Sequence, residues 1–105
     1  RRGRSADALT ALRRAVALDP GLGEAQNRLG VQLLNEGHLR EGHGHLARAI
    51  EALPEEWGPR VHFAQACALL GEWDAAGEAL TAAEQRGAEA SVLAERFFRD
   101  VPDAD

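Results

Sequence analysis

Four histidines, one cysteine and a scatter of carboxylates are the residues of this chain with the means to do chemistry. His38, His43, His45 and His62 are the candidates for metal coordination. A zinc site built on one helix takes ligands at i and i+4, so that both face the same way. His43 and His45 lie two apart, about 200° around a helix, and therefore face opposite sides. They read as surface histidines without a metal. Cys67 falls on an apolar stripe, where a thiol packs as a small hydrophobe instead of attacking a substrate. Glu41, Glu51, Glu72, Asp74, Glu78 and Glu84 fall on polar helix faces as solvated charges. Glu24 with Arg28 and Glu36 with Arg40 stand at i, i+4 and read as exposed pairs worth a few tenths of a kcal/mol. Ser5, Thr10, Thr81 and Ser91 have no His or Asp at the spacing of a nucleophile motif. The run GLGEAQ (21–26) has two glycines of a dinucleotide loop, but no strand precedes it and the third glycine is missing. No catalytic set and no cofactor site emerge, so the expectation is a protein that binds and does not transform.

Composition narrows the class of partner. The chain has 105 residues, enough for one small domain, and 45% of them are apolar, which is ordinary for a globular protein. A net charge of −5 speaks against a phosphate-binding nucleic-acid module. Residues 1–22 carry five Arg against Asp7 and Asp19, while the remainder is strongly acidic. The three Arg of the first four residues read as a frayed terminus. Lys, Tyr and Met are absent, a pattern of codon bias in a GC-rich bacterial genome, and the missing initiator Met suggests a processed or excised piece. One cysteine excludes an internal disulfide and fits a reducing compartment. No run reaches membrane-span length and no signal-peptide pattern opens the chain, so the expected location is cytoplasmic.

The elements that must hold these residues are helices. Residues 5–18 place Ala8, Leu9, Leu12, Ala15 and Val16 at i, i+3/4, i+7 spacing, with Ser5 as the N-cap and Asp19-Pro20-Gly21 as the stop. Further helices are expected at 23–36, 39–52, 57–70 and 73–86, with a sixth at 91–99 capped by Ser91. Gly37 and Gly71 stand where a helix ends on a left-handed residue. Gly42 shares its register with Ala8 and Ala76 and reads as a tight helix crossing, whereas Gly44 has no such reason. The deepest side chains should be Leu29, Leu33, Leu46, Ile50, Phe63, Cys67, Leu80 and Phe97. Trp57 and Trp73 read as core or junction packing.

A fixed interval runs through all of this. Pro20 and Pro54 are 54 − 20 = 34 residues apart, and Leu12, Leu46 and Leu80, Ala15, Ala49 and Ala83, and Gly3, Gly37 and Gly71 keep the same spacing. A helix–turn–helix pattern recurring at that period marks a solenoid repeat. The sequence resembles the tetratricopeptide repeat family, whose pattern is W-x2-L-G-x2-Y, then A-x3-F, then P. Its positions are matched by Gln26, Leu29, Gly30, Leu33, Gly42, Leu46 and Pro54, and again by Arg60, Phe63, Ala64, Cys67, Ala76, Leu80 and Ala88. Only Ala8, Leu12 and Pro20 remain of a first unit. The leading aromatic is missing from both full units. Phe98 stands where Gly30 and Ala64 would let a helix approach, which marks the end of the array.

The resemblance implies an all-α fold, an α-solenoid of antiparallel helix pairs: a partial repeat at 1–22, repeats at 23–56 and 57–90, a capping helix at 91–100 and a disordered tail at 101–105. It also implies a concave groove lined by the first helix of each unit, gripping a peptide or a partner's helix. The groove positions are Glu24, Asn27, Val31, Leu34 and Asn35, then Val61, Gln65, Ala68 and Leu69, with Val92, Glu95 and Arg99 from the cap. Val31, Val61 and Gly58 replace the basic clamp that chaperone-tail versions of the family use. The expected function is a non-catalytic scaffold with a protein or peptide partner, no nucleic acid and no membrane. An accessory segment of a larger bacterial enzyme, such as a transferase, is the alternative. Leu9, Leu12 and Val16 of the incomplete first unit add the expectation of self-association.

Overall fold

Three turns in this chain close in the same way. The computed structural model describes residues 2–89, with side chains from residue 7 onward, and among these it has five helices and no strand. They are α1 (Arg2–Leu18), α2 (Gly23–Asn35), α3 (Leu39–Ala52), α4 (Gly58–Leu69) and α5 (Trp73–Gln85). After α2, the His38 N–H donates to Leu33 O at 2.8 Å and the Gly37 N–H to Leu34 O at 3.0 Å. After α4, Glu72 donates to Cys67 O at 2.7 Å and Gly71 to Ala68 O at 3.0 Å. After α5, Ala88 and Gly87 repeat the pattern onto Ala83 and Glu84. Each is a Schellman cap, and it needs a residue at positive φ. Gly37 (88°), Gly71 (81°) and Gly87 (108°) supply it.

The all-α expectation holds, and α2 to α5 fall within one residue of their expected ends. The 34-residue interval reappears in the helix ends: Leu18 and Ala52, Asn35 and Leu69, and the starts Leu39 and Trp73. The first helix departs from expectation. It begins at Arg2, so Ser5 lies inside it instead of capping it, and Gly3 does not turn as Gly37 and Gly71 do. The reason is local: at the later turns a Schellman pair closes the helix, whereas Gly3 is followed by the helix-compatible run Arg4 to Leu9. The expected helix at 91–99, with Phe97 and Phe98, and the tail lie outside the described residues.

The core is built where small residues let helices approach. On α2 and α3, Leu29, Leu33, Leu46 and Ala49 are essentially inaccessible to solvent. A Cβ on Gly42 would fall 2.9 Å from the Gly30 carbonyl oxygen, and one on Gly30 would fall 2.5 Å from the Leu46 side chain. The helices cross where neither position has a side chain. Between α4 and α5, Ala64, Cys67, Ala68 and Ala76 form one buried cluster and Val61, Ala83 and Ala88 another. Leu80 packs on both. Ile50, Phe63 and Leu80, expected among the deepest side chains, are half-buried, because alanines occupy the closest contacts. Trp57 packs on the second cluster as a junction residue. Trp73, by contrast, is exposed on α5, which corrects its expected packing role.

One polar residue is sealed in the core. Gln26 is fully buried, at the position where the repeat pattern has an aromatic. Its Nε2 donates to Pro20 O at 2.9 Å, which leaves Oε1 to accept from His45 Nδ1 at 2.7 Å. Both ends of the amide are satisfied, as burial requires, and the α1–α2 turn is thereby tied to α3. Burial, and then Arg48, hold the His45 pKa below its ordinary value. At the other end of the molecule, Arg60 and Arg86 both donate to the Pro54 carbonyl oxygen, at 3.2 and 2.7 Å. Burial and the neighbouring Arg86 charge lower the Arg60 pKa. No helix among the described residues is long and apolar enough to cross a membrane.

Candidate functional site

The groove side chains come from α2 and α4, which run side by side with α1 beyond α2. Val31, Leu34 and Asn35 of α2, Leu39 at the start of α3, and Gln65 and Leu69 of α4 line one depression of about 370 Å³. A second, of about 580 Å³, lies between α1 and α2, with Ala8, Ala11 and Leu12 on one wall. Glu24, Asn27 and Arg28 stand on the other wall, with His62 reaching in from α4. Val31 lines both, so the two depressions adjoin. Their wall is pinned across the helices where His62 Nδ1 meets Asn27 Oδ1 at 3.0 Å. Glu24 and Arg28 form the expected i, i+4 pair at 3.3 Å, both well exposed. Glu36 meets Gln32 instead of Arg40, which reaches Glu72.

Seven of the expected groove positions therefore line this surface: Glu24, Asn27, Val31, Leu34, Asn35, Gln65 and Leu69. Two do not. Val61 is 1% exposed and packs with Ala83 and Ala88, and Ala68 is 4% exposed and packs with Ala64, Cys67 and Ala76. The cause is the run of alanines on α4 and α5. With Ala64, Ala76 and Ala83 at the contact, α5 lies close enough to α4 to cover the whole face at 61, 64 and 68. The groove face of α4 is narrowed to 62, 65 and 69. Glu95, Arg99 and Val92 lie outside the described residues. Leu39, His62 and the α1 alanines lie off the single face of each first helix that the repeat pattern points to. Their signal was the place of Leu39 just past a turn, and of His62 one residue from a valine expected in the groove.

The histidines divide as their spacing requires. His45 faces Gln26 on α2, while His43 faces α4, its ring 4.6 Å from that of Phe63 and tilted by 40°. His43 Nε2 also lies 3.6 Å from Glu72 Oε1. Cys67 joins them: the ligating atoms of His43, Cys67 and Glu72 are all within 4.8 Å of one another. Burial, and then the Glu72 charge, push the Cys67 thiol up to about 11, so the free thiol is a poor nucleophile near neutrality. No spacing along one helix signals this trio, since it draws on α3, α4 and the turn between α4 and α5. No protein-family model matches the sequence, and no curated protein resembles it closely enough to count as a relative.

Proposed function

We propose that this chain is a non-catalytic interaction scaffold of the tetratricopeptide kind, a helical solenoid that holds a peptide or partner helix along the α2–α4 groove. The observation that carries this reading is the pair of adjoining depressions sharing Val31. A concave surface that sets aliphatic side chains among amides is a usual form of docking site, and its shape suits an extended peptide or an amphipathic helix. Val31, Leu34, Leu39 and Leu69 offer the apolar floor, and Asn27, Asn35 and Gln65 offer amides able to bond a backbone. The recurrence at 34 residues of helix ends and of the Gly37 and Gly71 Schellman turns supports the solenoid.

The test is capture on the immobilised chain, identification of the bound protein by mass spectrometry, and titration with the purified partner. Leu34→Glu with Leu69→Glu should weaken that titration at least about a hundredfold, as loss of a central apolar anchor does, with helical circular dichroism unchanged. Val61 is unsuitable for this purpose because it is buried. If the double variant binds normally and Trp73→Ala does not, the binding surface is the exposed face of α5 and the groove reading is wrong.

A further inference from the structure

Three side chains of different ligand chemistry converge where α3 meets the turn between α4 and α5. His43 offers an imidazole nitrogen, Cys67 a sulfur and Glu72 a carboxylate oxygen, all within 4.8 Å of one another. From this geometry we infer that His43, Cys67 and Glu72 form a binding site for one thiophilic divalent cation, with Zn2+ the best fit. The site is separate from the groove and does not depend on how the groove is used.

The spacing of His43 and Glu72 suits such an ion, and the thiol lies within 4.8 Å of both. Zinc sits about 2.0–2.3 Å from N, O and S ligands in a tetrahedron, so its ligand atoms stand roughly 3.3–3.8 Å from one another by that geometry. The gap from His43 Nε2 to Glu72 Oε1 is 3.6 Å, already on that edge. The supports are rigid. Glu72 is joined to Cys67 through the Schellman bond from its own N–H to Cys67 O at 2.7 Å, which fixes the backbone between thiol and carboxylate. The His43 ring rests on Phe63. Arg40 Nη1 holds the other carboxylate oxygen, Oε2, at 3.2 Å, while Oε1 faces His43. An outer partner of this kind orients a ligating carboxylate.

Charge and softness select the ion. Binding displaces the thiol proton to solvent, so that M2+ and the neutral thiol give a metal thiolate and one H+. Thiolate, carboxylate and neutral imidazole then balance the two positive charges of the cation. A sulfur and an imidazole favour zinc over magnesium or calcium, which prefer oxygen ligands alone. Three protein ligands leave a fourth position for water, since His43 and Glu72 are only half-buried. The bound ion would fasten α3 to the α4–α5 turn, where side-chain packing and the contacts of Arg40 and His43 with Glu72 already meet.

The experiment is titration of the purified chain with Co2+, followed by displacement with Zn2+. One equivalent of Co2+ should give the intense visible bands of a tetrahedral site together with a thiolate-to-cobalt charge-transfer band, and one equivalent of Zn2+ should abolish both. Cys67→Ala should lose the charge-transfer band. His43→Gln and Glu72→Gln should each weaken Zn2+ binding at least about tenfold, while His45→Gln leaves it unchanged. Circular dichroism reports that each variant is folded, and Glu72→Gln, on a solvent-facing turn, keeps the test available if Cys67→Ala does not fold. Absence of saturable Co2+ or Zn2+ binding to the folded chain overturns the proposal. So does binding that lacks the thiolate band, or that is indifferent to His43→Gln and Glu72→Gln. Any of these results leaves His43 and Glu72 as neighbours beside a packed thiol.

Discussion

Two glycines of α3, two residues apart, should respond to the same substitution in opposite directions. Replacing Gly by Ala inside a helix restores about 1 kcal/mol of helix propensity. At Gly44 nothing lies within 4 Å of the added methyl group, so that gain should appear nearly whole. At Gly42 the same methyl group would sit 2.9 Å from the Gly30 carbonyl oxygen and 3.0 Å from the Leu34 side chain. The Leu34 tip can swing aside, but a backbone oxygen cannot, so α2 and α3 must separate. Overpacking of this kind costs about 1–3 kcal/mol, which offsets the propensity gain and leaves Gly42→Ala net destabilised by up to about 2 kcal/mol. For a domain of this size each kcal/mol moves Tm by about 4–8 °C. Gly44→Ala should therefore melt several degrees above the parent chain and Gly42→Ala below it, read by circular dichroism at 222 nm, the usual helix band (~222 nm). Gly77→Ala on α5, also with open space around it, is the control and should follow Gly44→Ala. If Gly42→Ala melts at or above Gly44→Ala, the close crossing of α2 and α3 at Gly30 and Gly42 is wrong.

Leu46→Ala should cost about 2–5 kcal/mol, because the side chain is fully buried, and denaturant melts should place Leu80→Ala clearly closer to the parent, since Leu80 is half-buried. His45 should give the fold a pH dependence. Its folded pKa lies below the ordinary 6.5, so its contribution is complete above that value and is lost as pH falls through it toward the folded pKa. Urea midpoints between about pH 7.5 and 5 should therefore decline, and that slope should shrink in His45→Gln; an unchanged slope assigns the effect to another group.

Much of the architecture is legible in the amino-acid sequence. Gly37 and Gly71 announce their turns because only a residue free of Cβ strain closes a Schellman cap cheaply, and Leu29, Leu33 and Leu46 announce the core by their helical period. The reading of Gly42 as a crossing point also held. What escaped was how much of a neighbouring face a close approach covers. Alanine marks where helices can meet but not how far the cover extends, and Ala64, Ala76 and Ala83 let α5 cover Val61 and Ala68, which removes both from the groove. The burial of Gln26 escaped for a related reason: its partners, Pro20 O and His45, lie six and nineteen residues away on different segments. The start of α1 was misjudged because a glycine alone does not end a helix. It needs the following residue to bond back, as His38 and Glu72 do.

The Schellman turns also bear on how the chain reaches its fold. Those at Gly37 and Gly71 each join two helices that then pack against each other, and the principal contacts among the described residues run from α1 to α2, α2 to α3, α3 to α4 and α4 to α5. Chains whose partners are close along the sequence close short loops and fold in microseconds to milliseconds. The α2–α3 hairpin, with its paired glycines and fully buried leucines, has what a nucleus requires: a preset turn and an apolar contact that forms without waiting for distant segments. Helices added on either side would then gain protection in order of their distance from it. Amide exchange should be slowest at Leu29, Leu33 and Leu46 and quicken outward toward α1, so that the molecule opens from an edge inward while its middle remains closed.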